Sequence, residues 1–350
     1  MSTRHHDSFV FEVTQLCNHT CSHCYNVWNN PKYPYAVGPG QLGTADTTAM
    51  LGKLLDETSA SLITLTGGEP LLRTDIYQIV DYLVSRQKAV NLITNGVLLT
   101  ADVIGRLGPD KVSVFELPLL SVERDIHDRM SGNQGAFDKV TMAVAQLKAA
   151  GQRVVCVFVA TRLNLPTFRQ TAELAIALGA DAMMFNRFNP GGRGVAHIEE
   201  LQATPAELAV ALDAAQELSE RYQFPISCSI AMPPCLFDTS RWPKLGFGFC
   251  AAGTERAYYT LDPVGNIRPC NHSPTILGNI RTQNFWDIAD SRPMKDFMEA
   301  VPPFCAGCKV EKTCQGGCKA SAEVCGGSVW KCDPFLEAFS SQAHKLAVGD

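Results

Sequence analysis

The chain has 350 residues, 46% of them hydrophobic and 19% charged, with a net charge of −5. That balance excludes a disordered or fibrous protein and gives no basic field for nucleic acid. No apolar run approaches the ~18 residues needed to cross a bilayer, and Met1 to Phe9 (MSTRHHDSF) is too polar for a signal-peptide core, so a cytoplasmic protein is expected, with neither nucleic acid nor membrane as a partner.

In chain order, short apolar runs alternate with helical patterns. Strands are expected at Ser8 to Val13, Ser61 to Leu65, Ala89 to Ile93, Val112 to Leu117, Arg153 to Ala160 and Ala182 to Phe185. Helical periodicity falls between them, as over Thr44 to Glu57, Asp75 to Arg86, Phe137 to Ala150 and Leu165 to Leu178. Repeated βα units imply right-handed crossovers and a parallel sheet, hence an α/β fold and a partial (β/α)6 TIM-like barrel. Active sites on such sheets lie at the strand C-termini, and polar or glycine-rich residues do follow these strands. Beyond them the sequence YYTLDPVGNIRPC reads as a hairpin between Tyr258 and Cys270, followed by short helices and loops. The boundary is expected at 230/231, giving a barrel over 1–230 and a small cysteine-rich extension over 231–350.

Fourteen cysteines in such a chain point to metal or redox chemistry rather than disulfides. Three lie close together in CNHTCSHC, as Cys17, Cys21 and Cys24, directly after the first strand. A structural zinc would want four ligands, the fourth supplied by His19 or His23 turning inward; three ligands alone leave a position open, as in a catalytic metal or an iron–sulfur cluster with one free iron. After the second strand, LITLTGGEPLLR places Gly67, Gly68, Glu69 and Pro70 in a turn where glycine admits close approach and a carboxylate can accept from a cationic amine. Taken alone, that turn is an ordinary βα connection.

The pair of motifs resembles the radical S-adenosylmethionine (SAM) superfamily, over roughly residues 8 to 225. The resemblance implies a [4Fe–4S] cluster on Cys17, Cys21 and Cys24, whose free iron is chelated by SAM, with Gly67 to Pro70 at the SAM amino group. Reductive cleavage of SAM would then yield a 5′-deoxyadenosyl radical that abstracts hydrogen from a substrate carbon. Asn95, in ITNG, is placed for SAM contact, with an Asn-Gly turn as its plain alternative. Ser121 falls where relatives read SLDG, although the aspartate of that pattern is absent here. Arg187, in FNRFNPGGRG, is expected to reach SAM or substrate through its bidentate fork. His127 and Asp128 are expected to cap or orient the following helix, and Cys156, within VVCVFVA, to be a core residue.

The later thiols run C-x14-G-x4-C from Cys250 to Cys270, then C-x2-C-x5-C-x3-C through Cys305, Cys308, Cys314 and Cys318, then Cys332. Spacing alone suits zinc and iron–sulfur equally. The full pattern resembles the SPASM extension of some radical SAM enzymes. It implies one auxiliary [4Fe–4S] cluster on Cys250, Cys270 and Cys318, and another on Cys305, Cys308, Cys314 and Cys332, with Cys325 competing for the last place. Seven cysteines leave the first cluster one ligand short, so Cys235 is the candidate eighth, with Cys228 behind it, unless the site is open to substrate.

The expected activity is hydrogen abstraction from a peptide substrate in ribosomal peptide maturation (crosslinking, oxidation or epimerisation). The alternatives are the same chemistry on a sugar, aminoglycoside or other small precursor, and a non-enzymatic electron carrier or zinc module. Flavodoxin or ferredoxin is the expected reductant. Because the first strand begins at Ser8, a separate leader-peptide-binding protein is expected.

Overall fold

A computed structural model describes residues 4–30, 40–255 and 257–343. Eleven strands form one sheet in the order β11-β10-β9-β1-β2-β3-β4-β5-β6-β7-β8. Strands β1 (Ser8–Glu12), β2 (Leu62–Thr66), β3 (Ala89–Ile93), β4 (Val114–Pro118), β5 (Val154–Ala160) and β6 (Ala182–Arg187) run parallel and in sequence. The intervening helices are α1 (Thr44–Thr58), α2 (Ile76–Ser85), α3 (Ala101–Lys111), α4 (Arg124–Ser131), α5 (Ala136–Ala149) and α6 (Phe168–Ala177). Strand ends move by one or two residues from expectation, because pairing with neighbouring strands, not local apolarity, sets where a strand stops.

The period of two decides which side chains meet the helices. Phe9, Phe11, Ile63, Leu65, Val90, Leu92, Phe115, Leu117, Cys156, Phe158, Met183 and Phe185 all lie in one core between sheet and helices. Cys156 is therefore a core residue, as expected. The alternate positions, among them Glu12, Thr64, Asn91, Glu116 and Asn186, face the concave side.

After α7 (Ile198–Leu201) comes α8 (Pro205–Tyr222), begun by a reciprocal cap between Thr204 and Glu207 and by proline in its first turn. Two short parallel strands not anticipated from sequence follow, β7 (Ile226–Cys228) and β8 (Gly246–Phe247). The expected hairpin forms as β9 (Thr260–Leu261) and β10 (Asn266–Arg268), with β11 (Gly278–Asn279) beside it. It is not a free appendage, since β9 pairs in parallel with β1, Val10 opposite Thr260. β11 and β8 are the two ends of the sheet, and β8 pairs with neither β11 nor β1, so the barrel is open. Among the described residues no helix is long and apolar enough to cross a membrane.

Two buried ion pairs bind the extension to the barrel. Glu12 at the end of β1 meets Arg268 on β10, and Arg187 at the end of β6 meets Asp333; all four side chains are at most 3% exposed. Arg187 also donates through Nε to the Ala231 carbonyl, 2.8 Å away, and lies over the Phe335 ring.

Candidate active site

None of the fourteen cysteines is in a disulfide. The loop carrying Cys17, Cys21 and Cys24 continues β1 past the sheet. Val13 N–H donates to the Thr66 carbonyl at 2.9 Å, Gly68 N–H to Thr14 at 2.8 Å and Glu69 N–H to Leu16 at 2.8 Å. A Cβ on Gly67 would stand 2.3 Å from the Thr14 oxygen, and one on Gly68 2.1 Å from the Leu16 oxygen. The two glycines therefore let the cysteine loop press against the β2 turn, a use of glycine that the motif alone did not reveal. Gly132 and Gly192 seat the other side of the loop in the same way, against Thr20 and Asn26. Gly68→Ala is expected to displace the cysteine loop, lowering stability by about 1–3 kcal/mol, as overpacking does, and lowering iron per chain; iron analysis and thermal unfolding check this.

Burial raises the pKa of all three thiols, repulsion from the neighbouring thiols adds to the rise at Cys17 and Cys21, and Arg193 opposes it. Three thiolates in one short loop are thus mutually unfavourable unless a cationic core sits among them. His19 Nε2 and His23 Nδ1 are buried without partners, and burial lowers both pKa values to about 4. Among the described residues no three His, Cys, Asp or Glu converge as a single ion requires. A multi-iron core, whose thiolates attach at separate corners, fits this spacing better than a zinc completed by histidine.

Glu69 is fully buried. Oε1 accepts from Thr94 Oγ1 at 2.7 Å and Leu71 N–H at 3.0 Å, and Oε2 accepts from Asn95 N–H at 2.8 Å. A carboxylate has about four acceptor positions, so Oε2 retains a lone pair for a ligand's ammonium. Pro70 begins the short helical turn that Glu69 caps. The Asn95 side chain donates to Asn18 Oδ1 at 2.7 Å and accepts from Val97 N–H at 3.1 Å, so it closes an Asn-Gly turn and ties β3 to the cysteine loop.

Two residues expected at the ligand, Ser121 and Arg187, bond to protein groups. Ser121 is fully buried, its hydroxyl shared with Thr167 Oγ1 at 2.9 Å and accepting from Glu123 N–H at 3.0 Å, so it staples the β4 loop to α6's approach. Arg187 does grip a carboxylate, but that of Asp333. Asp128 does orient the next helix, accepting from Gly135 N–H at 2.6 Å and Phe137 N–H at 2.9 Å, while the His127 ring accepts from Leu120 N–H at 3.2 Å in the loop before α4.

The concave face holds groups that sequence reading missed. Glu116 sits between Ile93 and Val155 on the neighbouring strands, and burial alone raises its pKa to about 7. The Tyr25 hydroxyl accepts from Asn271 Nδ2 at 3.0 Å, within reach of the charges of Glu12 and Glu116, and its ring stacks on His272 at 3.9 Å and 7°. A charged residue at the centre of the apolar strand VFELP was the available signal for Glu116. Because its folded pKa lies above the unfolded value of about 4.5, its contribution to stability is full below about pH 4.5 and is lost as pH rises through about 7. Glu116→Gln is expected to raise stability at pH 8 by roughly 1–3 kcal/mol, an order of magnitude set by the shift, relative to its effect at pH 4.5; urea titration at both pH values checks it.

In the extension, Cys250, Cys270 and Cys318 stand together, the first and last raising the Cys270 pKa. Asn189 Nδ2 lies 3.3 Å from Cys318 Sγ and 3.0 Å from His272 Nδ1, which brings this trio to the barrel's mouth. Cys305, Cys308 and Cys314 line a small cavity elsewhere, with Cys332 within electrostatic reach of Cys305. Cys235, expected beside the first trio, lines this second cavity instead, because the turn at Pro233 carries it there. Cys228 is buried in the core on β7, and Cys325 packs against Val27, Val195 and Val324.

Residues 11–175 match a family model described as the radical SAM superfamily, and residues 250–309 one described as the SPASM iron–sulfur cluster-binding domain. The AdoMet-dependent heme synthase of Methanosarcina barkeri is 27% identical, covering 93% of this chain and 95% of that protein. Mycofactocin maturase MftC of Mycobacterium ulcerans is 28% identical over 89% of this chain and 82% of its own. The crystal structure of Streptococcus suis SuiB bound to precursor peptide SuiA superposes with a TM-score of 0.72 at 14% identity, covering 94% of this chain and 75% of that one, a likeness of fold alone.

Proposed function

Since the chain belongs to the radical SAM superfamily and carries a SPASM domain, we propose that it is a peptide-modifying enzyme in which the concave face of the open barrel takes a segment of peptide. When bound, the cluster and SAM supply a 5′-deoxyadenosyl radical that removes hydrogen from a substrate carbon. Cys17, Cys21 and Cys24 hold that cluster, and Glu69 Oε2 receives the SAM ammonium with the Gly67–Gly68 turn beneath it. Cys250, Cys270 and Cys318 hold one auxiliary cluster, and the cavity of Cys305, Cys308 and Cys314 the other. Residues 1–230 are the radical-forming unit and 231–350 the auxiliary one, while the continuous sheet and the Arg187 and Arg268 ion pairs keep the two in register.

The observation that carries this reading is the packing of the cysteine loop against the Gly67–Glu69 turn, which gathers three thiols and one unsatisfied carboxylate lone pair at the strand ends. The PqqA peptide cyclase of Methylocella silvestris, 26% identical over 96% of this chain and 88% of its own, supports the peptide assignment. The heme synthase favours a second reading, the same chemistry on a small carboxylated molecule. A cytoplasmic setting with a flavodoxin or ferredoxin as reductant suits fourteen unbridged thiols, and a separate leader-binding protein is part of the proposal. Anaerobically reconstituted enzyme given SAM, dithionite and a library of synthetic peptides in D₂O is expected to form 5′-deoxyadenosine together with a peptide whose mass has changed, by carbon-bound deuterium where the change is an epimerisation. Turnover of carboxylated tetrapyrroles with no peptide changed in mass would establish the second reading instead.

A further inference from the structure

Five thiols converge where four would fill a cluster. Cys235, Cys305, Cys308 and Cys314 line one cavity with Phe304 and Leu336, while Cys332, one residue before Asp333, lies within electrostatic reach of both Cys235 and Cys305. We propose that Cys235 is an alternative fourth ligand of the cluster held by Cys305, Cys308 and Cys314, exchanging there with Cys332. This rests on the reading that these thiols hold an iron–sulfur cluster.

The two competing thiols arrive on segments that share their anchors. Leu236 and Phe237 N–H both donate to the Pro233 carbonyl, at 2.9 and 3.0 Å, fixing the turn that presents Cys235. Phe237 stacks on Phe335 with centroids 5.9 Å apart, and Phe335 N–H donates to Asp333 Oδ1 at 2.9 Å, directly after Cys332. Arg187 binds the Ala231 carbonyl on one segment and the Asp333 carboxylate on the other. Both segments are thus tied to one side chain from β6.

An iron corner accepts one terminal thiolate, so the exchange is a substitution. The incoming thiol gives its proton to solvent as its iron–sulfur bond forms; the departing thiolate takes one up as its bond breaks; no electron moves. Both thiols are partly exposed, so solvent reaches either one.

The test uses reconstituted full chain, measuring iron and sulfide per chain and the auxiliary-cluster electron paramagnetic resonance (EPR) signals. Cys235→Ala and Cys332→Ala are each expected to retain the iron of wild type, with altered EPR, and the double variant to lose one cluster's iron. Loss of a whole cluster in either single variant overturns the proposal, and so does full iron in the double variant. Where a variant fails to fold, anaerobic alkylation of the loaded wild type with N-ethylmaleimide, read by mass spectrometry, replaces it. Partial labelling of both Cys235 and Cys332 is expected, whereas complete labelling of one with none of the other overturns exchange. Wild type that binds iron for the barrel and for Cys250, Cys270 and Cys318 but leaves Cys305, Cys308 and Cys314 open to alkylation overturns the underlying reading, a result distinct from all of these.

Discussion

Alanine at Cys17, Cys21 and Cys24 together is expected to lower reductive SAM cleavage by about two orders of magnitude or more, to the level of reductant and SAM alone. The reason is chemical, because soft thiolates are the donors an iron–sulfur core needs and the nearby histidines face burial without reaching the loop's sulfurs. The barrel should survive, since the loop is held by backbone bonds from Gly68 and Glu69 and by its packing against Gly132 and Gly192. Chromatographic assay of 5′-deoxyadenosine, beside a thermal melt, separates lost chemistry from lost fold. Undiminished cleavage by a folded triple variant would remove these cysteines from the mechanism. Cys325→Ser is the control and should leave cleavage unchanged.

Asp333→Ala is expected to destabilise the chain by about 3–5 kcal/mol, the usual consequence of removing one partner of a buried ion pair. Asp333 is fully buried and serves three donors: Arg187, the Cys318 N–H at 2.8 Å and the Phe335 N–H at 2.9 Å. Its removal leaves the Arg187 guanidinium charged and 1% exposed, with Nη1 already unpartnered. Denaturant unfolding should show the loss, and limited proteolysis should release the extension earlier than in wild type. The double variant Arg187→Met/Asp333→Leu is expected to recover much of it, because two apolar side chains need no compensation for desolvation. Failure of the double variant to recover would place the loss in the two backbone N–H groups instead.

Periodicity carried the first six strands and the helices between them, for each apolar face had to meet another element. The thiol motifs were legible for a related reason: metal ligation demands particular atoms at short chain separations, as in CNHTCSHC and the run from Cys305 to Cys318. The partnership of distant groups was not legible. The sequence motif FNRF marks Arg187 as a carboxylate reader, but nothing local says that the carboxylate lies 146 residues away at Asp333. Ser121 likewise matched a ligand position and is consumed by Thr167 and Glu123.

Sequence by itself determined the parallel α/β barrel, the three-thiol loop and the density of thiols in the tail, because each follows from side-chain chemistry and spacing along the chain. Only the tertiary structure decided that the hairpin extends the sheet at β1, that Gly67 and Gly68 make room for backbone, that Glu116 stands among apolar neighbours, and which cavity receives Cys235. Those outcomes depend on which surfaces bury one another after chain separation has ceased to matter, and burial is a property of the packed molecule.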